Sequence, residues 1–292
     1  MLAECATELT TEFSWSLIVN IVMAVIALIS AVFAFLTYDH QKNRSKKAEA
    51  CNLAAHYAKV ILDKNAFITN VFVQTGIDQY IKSNIRMNDV QNFDRSEMER
   101  LLAAKNISLK EFMDKVYDID PIVVFNCKIA RTCATIEREL IMADYIAVDK
   151  ESGERKLRNE KFLLNDFYQE IGELLNQLEW FGMNFQYEIA DEALLYQSLH
   201  KTYLSMVWML YPFISYQNTS NEDKLFTNVV WLFDVWRKRL KKITDKAKSK
   251  RDAYRKKADR SQRKADKESE KAKKERQKAE SVKAKIHKGQ KV

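Results

Sequence analysis

The sequence predicts an all-α protein with a single N-terminal transmembrane helix, a cytosolic helical bundle and a long basic C-terminal helix. Its 292 residues include only 5 Gly and 2 Pro, and 30% are charged, a composition typical of long helices. One segment, residues 15–38, contains no charged side chain. Residues 237–292 hold 25 Lys and Arg against 8 Asp and Glu, so this tail carries +17 in a chain whose net charge is +8, and the rest carries −9. Such a basic tail favours a polyanionic partner.

The uncharged segment WSLIVNIVMAVIALISAVFAFLTY has the length and composition of a transmembrane helix. As an α-helix it measures roughly 36 Å, against a hydrocarbon core of about 30 Å, and its terminal Trp15 and Tyr38 match interfacial aromatics. A signal peptide is the competing interpretation, but that requires basic residues before the apolar run. Here three glutamates precede the run, and Lys and Arg follow it in HQKNRSKK. The positive-inside rule therefore predicts an extracytoplasmic tail at residues 1–14 and a cytoplasmic C-terminus.

One amide and four small side chains recur within this segment at intervals of four and three residues. They are Asn20, Ala24, Ala27, Ala31 and Ala34. Small residues let membrane helices approach closely, and an amide can hydrogen-bond across the contact. The pattern predicts a homo-oligomer seam, with the frequency of alanine in membrane anchors as the alternative explanation.

Residues 39–236 are predicted to form a cytosolic all-α domain, beginning with a helical stalk over residues 39–70, which contain neither Gly nor Pro. Asp94 and Ser108 each precede a glutamate by three residues, the spacing of a capping box. Asp120 followed by proline predicts the N-cap of a helix that extends to about Val148.

The second half of this domain contains a polar stretch and two further helices. The segment DKESGERK, residues 149–156, reads as a loop or a hairpin tip. Apolar spacing predicts a helix near residues 159–186 with Phe162 on its buried face. Asp191 is placed to cap another helix, which ends at Tyr211 because Pro212 follows.

The basic tail, residues 237–292, continues a helix that we predict to begin near Asn221. Lys-Ala pairs recur every seven residues from Lys257 to Ala279, yet the positions three further on include Glu268 and Glu275, so a tight coiled coil is not predicted. We expect a solvated helix whose polyanion-binding side chains are Lys256, Lys257, Arg260, Arg263, Lys264 and Lys271. Nucleic acid, anionic lipid or an acidic protein are possible partners, and a tail without a partner is the alternative.

No motif of an enzyme or cofactor site is present in the sequence. There is no G-x-G-x-x-G, no H-E-x-x-H and no His with a Glu three residues before it. Glu170 and Glu173 are spaced as paired carboxylates but are interpreted as a solvated helix face. The four cysteines lack C-x-x-C spacing and are predicted to be buried reduced thiols. We therefore expect a protein that is not an enzyme and has no cofactor.

The stretch from Leu174 to Ile214 resembles a bacterial domain-of-unknown-function family that pairs an N-terminal membrane helix with a helical cytosolic domain. The family pattern, Leu-Asn-x-x-Glu followed by Asp-Glu-x-x-Leu-Tyr, a Trp and Pro-x-Ile, corresponds here to Leu175, Asn176, Glu179, Asp191, Glu192, Leu195, Tyr196, Trp208, Pro212 and Ile214. The resemblance extends over about residues 15–236 and does not include the basic tail. It implies location in a bacterial inner membrane, no established activity and an association with anti-phage genes.

Two function classes follow from these observations. The first is a non-enzymatic, oligomeric inner-membrane protein whose cytosolic helices receive a signal or partner, and an anti-phage defence effector acting at the membrane is one such protein. The second is a membrane tether or scaffold that recruits a nucleic acid or a protein complex through its basic C-terminal helix. Membrane leakage on induction distinguishes an effector from a tether.

Overall fold

A computed structural model describes residues 2–132, 135–148, 155–219 and 224–289, with the backbone alone given for 2–22, 24, 25, 155, 272, 279 and 281–289. In these residues the chain is predominantly helical, which confirms the all-α prediction. It divides into two compact units, Met1–Asp234 and Val235–Val292.

The first unit begins with an unbroken helical path. α1 (Leu2–His56) continues through a π-helical turn (Tyr57–Ile61) into α2 (Leu62–Thr75), which ends where Gly76 adopts the left-handed conformation at φ 75°. The predicted stalk is part of the core, because Ala50, Leu53, Tyr57 and Ile61 are fully buried. Their spacing of three and four residues places them on one helix face.

Four shorter helices follow: α3 (Ile77–Asn84), α4 (Arg95–Ala103), α5 (Leu109–Tyr117) and α6 (Pro121–Arg131). The predicted caps of α4, α5 and α6 are confirmed. Asp94 accepts a hydrogen bond from the backbone N–H of Glu97, Ser108 from that of Glu111, and Asp120 from that of Ile122.

The single helix predicted from Asp120 to Val148 is wrong. α6 ends at Arg131, α7 spans Thr135–Tyr145, and β1 (Ile146–Val148) pairs antiparallel with β2 (Arg155–Leu157). The β-branched Thr132 leaves the helix with ψ 114°. The guanidinium of Arg138 donates to the carbonyl of Thr132 at 3.1 Å, which satisfies a backbone group that a continuous helix would have paired.

The centre of the first unit is α8 (Glu160–Gln186), followed by α9 (Glu192–Met209) and α10 (Tyr211–Gln217). Asp191 caps α9 as predicted, and the break near Pro212 is also confirmed. The prediction that Phe162 lies on the buried face is wrong. Phe162 is 75% exposed, and Leu163 is buried in its place. The core-facing stripe of α8 therefore starts one residue later than predicted.

Aromatic rings fill the space between these helices. Phe72 stacks on Phe213 with ring centroids 5.8 Å apart and contacts Phe167 edge-on. Phe93 packs edge-on against Tyr211 and Phe233, each at 5.2 Å. Aromatic pairs of this geometry contribute about 0.5–1.5 kcal/mol beyond their buried area, so they hold distant segments of the chain together.

α11 (Thr227–Gly289) runs from the first unit into the second. The helix was predicted to begin near Asn221, a residue that lies outside the described part of the chain. It begins later because Phe226, just before its first residue, takes a positive φ of 61°. Within the first unit Val229, Leu232 and Phe233 are fully buried.

Candidate functional site

The most unusual surface in the described residues is the middle of α1, from Met23 to Tyr38. Nine large apolar side chains there are between 49% and 69% exposed: Met23, Ile26, Leu28, Ile29, Val32, Phe33, Phe35, Leu36 and Tyr38. At 100° per residue they point around the whole circumference of the helix. A soluble amphipathic helix would instead carry its apolar residues as one stripe. Among the residues searched, no helix combines the length and apolar content needed to cross a membrane.

The predicted oligomer seam lies partly within the described side chains. Ala27, Ala31 and Ala34 are exposed, whereas the side chains of Asn20 and Ala24 lie outside the described part of the chain. By helical periodicity the three alanines lie on the side of α1 opposite Ile29 and Phe33. They form a narrow stripe of small side chains, called here the smooth side of α1, with large apolar side chains on both flanks.

The turn between α8 and α9 joins this helix to the rest of the first unit. The backbone N–H of Asp191 donates to the carbonyl of Lys46 at 3.1 Å. The ammonium of Lys46 lies 3.0 Å from a carboxylate oxygen of Glu188, and this contact lowers the pKa of Glu188. Lys46 is eight residues beyond Tyr38, or about 12 Å along the helix axis.

Glu179, from the family pattern, caps a helix that starts nearly fifty residues later. Its carboxylate accepts hydrogen bonds from the backbone N–H groups of Asn228 and Val229 at 3.1 and 3.0 Å. Both belong to the first turn of α11, whose N–H groups otherwise have no helical acceptor. A Cβ at Gly182 would lie 2.6 Å from the carbonyl oxygen of Asn228, so the two backbones approach as closely as glycine permits.

Most of the other residues of the pattern are buried or half-buried. Leu175 is buried, and the indole of Trp208 donates to the carbonyl of Ile85 at 3.2 Å. Tyr196 stacks on His200 with ring centroids 4.5 Å apart. Glu192 follows the cap of α9 in its first turn, and Asn176 is the one solvent-exposed member among those described. Three members of the pattern thus join helices or start them: Glu179, Asp191 and Trp208.

Glu97 forms the centre of a buried polar cluster. Its side chain, 3% exposed, accepts hydrogen bonds from the backbone N–H groups of Gln91, Asn92 and Phe93 at 2.8, 2.9 and 3.1 Å. The hydroxyl of Tyr211 adds a fourth hydrogen bond at 3.2 Å. One carboxylate therefore holds an irregular segment of backbone against α10.

Asn218 closes the same cluster from the other side. Its side-chain amide donates to the carbonyl of Phe93 at 2.9 Å and accepts from the backbone N–H of Leu225 at 2.8 Å. Burial on its own raises the pKa of the neighbouring Asp94. Hydrogen bonds from Ser96, the backbone of Glu97 and Lys224 outweigh that effect and leave the pKa of Asp94 below its ordinary value.

The carboxylates predicted as a solvated face of α8 belong to an ion-pair network instead. The ammonium of Lys64 lies 2.7 Å from both Glu170 and Glu173, and Arg131 lies 3.3 Å from Glu170. The hydrogen bond from Lys64 lowers the pKa of Glu173. Both carboxylates thus form ion pairs between α2, α6 and α8, which is a structural arrangement rather than an acid–base pair.

In the part of the chain that is described, the histidine and cysteine side chains do not come together as a catalytic or metal-binding group. His56 lies 2.8 Å from the side-chain oxygen of Gln177 and packs edge-on against Trp180. Cys127 is buried, and desolvation raises the pKa of its thiol, whereas Cys51 is exposed, contrary to prediction. No group of three or more His, Cys, Asp or Glu side chains in this part of the chain is placed to hold a metal ion.

The second unit presents the predicted polyanion-binding side chains to solvent. Those of Lys256, Lys257, Arg260, Arg263, Lys264 and Lys271 are all exposed along α11. Lys274 and Glu270 form an ion pair of 2.8 Å at i,i+4 spacing, of the kind that supports an isolated helix by about 0.2–0.5 kcal/mol.

Comparison of the chain with known protein families, with curated proteins and with solved structures gave no match. The resemblance of residues 174–214 to a family of membrane-anchored helical proteins stays a prediction.

Proposed function

We propose that this protein is a non-enzymatic, oligomeric membrane protein whose helical domain receives a partner or signal in the cytoplasm. The observation that carries the proposal is the exposure of nine large apolar side chains around the full circumference of α1. Burial of one such side chain is worth about 1.5–3 kcal/mol, so leaving nine of them in water forgoes on the order of 10 kcal/mol. That is comparable with the whole stability of a domain, and a lipid environment removes the penalty.

The proposed span is residues 15–38, and the side chains of 15–22, 24 and 25 within it lie outside the described residues. Beyond it, Lys42, Arg44 and Lys47 are exposed on α1 before the helix enters the core. Basic residues on this flank favour retention on the cytoplasmic side. The part of the first unit that follows residue 38 would then lie in the cytoplasm of a bacterium, against the inner membrane.

Protease treatment of spheroplasts tests this topology. With a tag after Val292, protease added outside is expected to leave the tag intact, and lysis of the spheroplasts is expected to expose it. A periplasmic marker protein should be digested in the same sample as a control. Loss of the tag from intact spheroplasts would show that the orientation is wrong.

The seam is proposed to join copies of this chain within the membrane. Ala27, Ala31 and Ala34 form the smooth side of α1, and an amide at Asn20 would add about 0.6–2 kcal/mol across a helix pair. Substituting Asn20→Leu together with Ala27→Ile is expected to lower the oligomeric state in mild detergent, measured by analytical ultracentrifugation. Ile29→Leu on the opposite side is the control and should leave it unchanged. A double variant with the mass distribution of the wild type would contradict the proposed seam.

A second function, recruitment of a polyanion, is favoured by the exposed basic side chains of the second unit. Residues 237–292 carry a net charge of +17, which favours contacts with phosphate groups. Tyr254 is the one Phe, Trp or Tyr among them, so the tail has little with which to recognise bases. In this case the protein acts as a tether that brings nucleic acid or an acidic complex to the membrane.

A further inference from the structure

α8 runs antiparallel to the path formed by α1, the π-helical turn and α2. Three contacts establish this direction: Lys46 with Glu188 at 3.0 Å, His56 with Gln177 at 2.8 Å, and Lys64 with Glu173 at 2.7 Å. As the path moves away from residues 15–38, its partners on α8 and in the turn that follows α8 have decreasing residue numbers. The C-terminal end of α8 is therefore the end nearest the apolar part of α1.

The turn at this end exposes apolar side chains. Tyr187 is 67% exposed, Ile189 is 46% exposed, and Leu194 in the first turn of α9 is 44% exposed. The turn is held in place by the backbone hydrogen bond from Asp191 to Lys46 and by a positive φ of 55° at Glu188. Exposed apolar side chains on a fixed turn are therefore presented in a defined direction.

An untilted α1 would leave the turn about 4–7 Å beyond the headgroup layer, and a tilt of the helix narrows this gap. Lys46 lies about 12 Å along the helix from Tyr38, while the headgroup region beside the hydrocarbon core is about 5–8 Å deep. Transmembrane helices tilt by about 20° on average, which brings one side of an attached domain closer to the lipid. Tyrosine is enriched in this layer because its ring is apolar and its hydroxyl polar.

The charges around the turn are compatible with an anionic leaflet. Glu188 is paired with Lys46, and the carboxylate of Asp191 accepts the hydrogen bond that caps α9. Exposed Lys42, Arg44 and Lys47 lie between the span and the turn, and each contributes about 1 kcal/mol of attraction near an anionic surface. Asp39 on α1 and Glu192 in the first turn of α9 are acidic and oppose this attraction.

We propose that the α8–α9 turn is the membrane-facing surface of the first unit, with Tyr187 and Ile189 inserted in the headgroup layer of the leaflet that α1 enters. This inference rests on the proposed membrane anchoring and extends it, because it gives the domain a second attachment point. With two attachments the domain cannot rotate freely about α1, so a partner bound on its cytoplasmic side acts on the anchor through a fixed orientation.

Fluorescence quenching in liposomes tests the inference on the full chain. Cys5, Cys51 and Cys133 are replaced by serine, while Cys127 stays because it is buried. An environment-sensitive fluorophore is then attached to a single new cysteine at Ile189→Cys, Phe162→Cys or Ile26→Cys. Phe162 is the matched control, because it is exposed at the opposite end of α8, about 37 Å from Tyr187. The liposomes contain phosphatidylethanolamine and phosphatidylglycerol, with a nitroxide on the headgroup or midway along the acyl chain.

The label at 189 is expected to be quenched by the headgroup nitroxide roughly twofold more than the label at 162, as befits an interfacial residue. Adding Tyr187→Ser to the chain labelled at 189 should lower that quenching, whereas Tyr254→Ser should not. Equal quenching at 189 and 162, with the label at 26 quenched by the acyl-chain nitroxide, overturns the inference and leaves the anchoring intact. A label at 26 that neither nitroxide quenches overturns both.

Discussion

Replacing Glu97 with alanine is expected to lower the free energy of unfolding of the first unit by about 4 kcal/mol. The substitution leaves three backbone N–H groups and the hydroxyl of Tyr211 without their acceptor in a buried site. An unsatisfied buried donor costs about 1–3 kcal/mol, and partial hydration of the resulting cavity recovers some of the sum. The thermal midpoint of a unit of this size should fall by roughly 10 °C, measured by circular dichroism in mild detergent.

Glu99→Ala is the matched control for this prediction, because Glu99 is exposed on the same helix, α4. Its effect should stay within about 0.5 kcal/mol, the usual range for surface substitutions. Glu97→Gln keeps the shape and one acceptor oxygen, so we expect an intermediate loss. Similar midpoints for the Glu97→Ala and Glu99→Ala variants would show that the buried carboxylate does not organise this part of the fold.

The affinity of the basic tail for duplex DNA is expected to fall about a thousandfold between 50 and 200 mM salt. If about six phosphates are neutralised, the slope of log K against log salt concentration is near −5, from about −0.9 for each phosphate. Replacing Lys256, Lys257, Arg260, Arg263 and Lys264 with glutamine should bring the slope towards about −1. Asp259→Asn, in the middle of this cluster, should strengthen binding slightly.

The measurement is a salt titration of the full chain in detergent and of residues 237–292 against two unrelated duplexes. Equal affinities for the two duplexes are expected, because phosphate contacts carry no sequence information. Binding weaker than about 100 μM at 50 mM salt from both proteins would contradict recruitment of nucleic acid and leave a protein partner, or a tail without a partner, as the alternatives.

Features determined by neighbouring residues were predictable from the sequence. Asp94, Ser108, Asp120 and Asp191 cap the helices that follow them, because a cap and its N–H partner lie two or three residues apart. The buried face of α1 over Ala50 to Ile61 was visible in the same way, since helical periodicity alone defines it.

Features determined by distant residues were not predictable. Glu179 was read as part of a local pattern, yet it caps α11 from nearly fifty residues away. The end of α6 at Arg131 depends on a guanidinium from the next helix, with no Gly or Pro to mark it. The exposure of Phe162 likewise depends on where α8 first meets the core. Helical periodicity alone does not decide whether the first buried residue is Phe162 or Leu163.

The depth of residue 26 in the bilayer tests membrane anchoring, the central claim, most directly. The span proposed from the exposed apolar turns of α1 places this residue near the middle of the hydrocarbon core. A fluorophore at Ile26→Cys in the full chain is therefore expected to be quenched more strongly by the acyl-chain nitroxide than by the headgroup nitroxide. Equal, weak quenching by both nitroxides, in protein that still floats with the liposomes, would show that α1 does not cross the membrane.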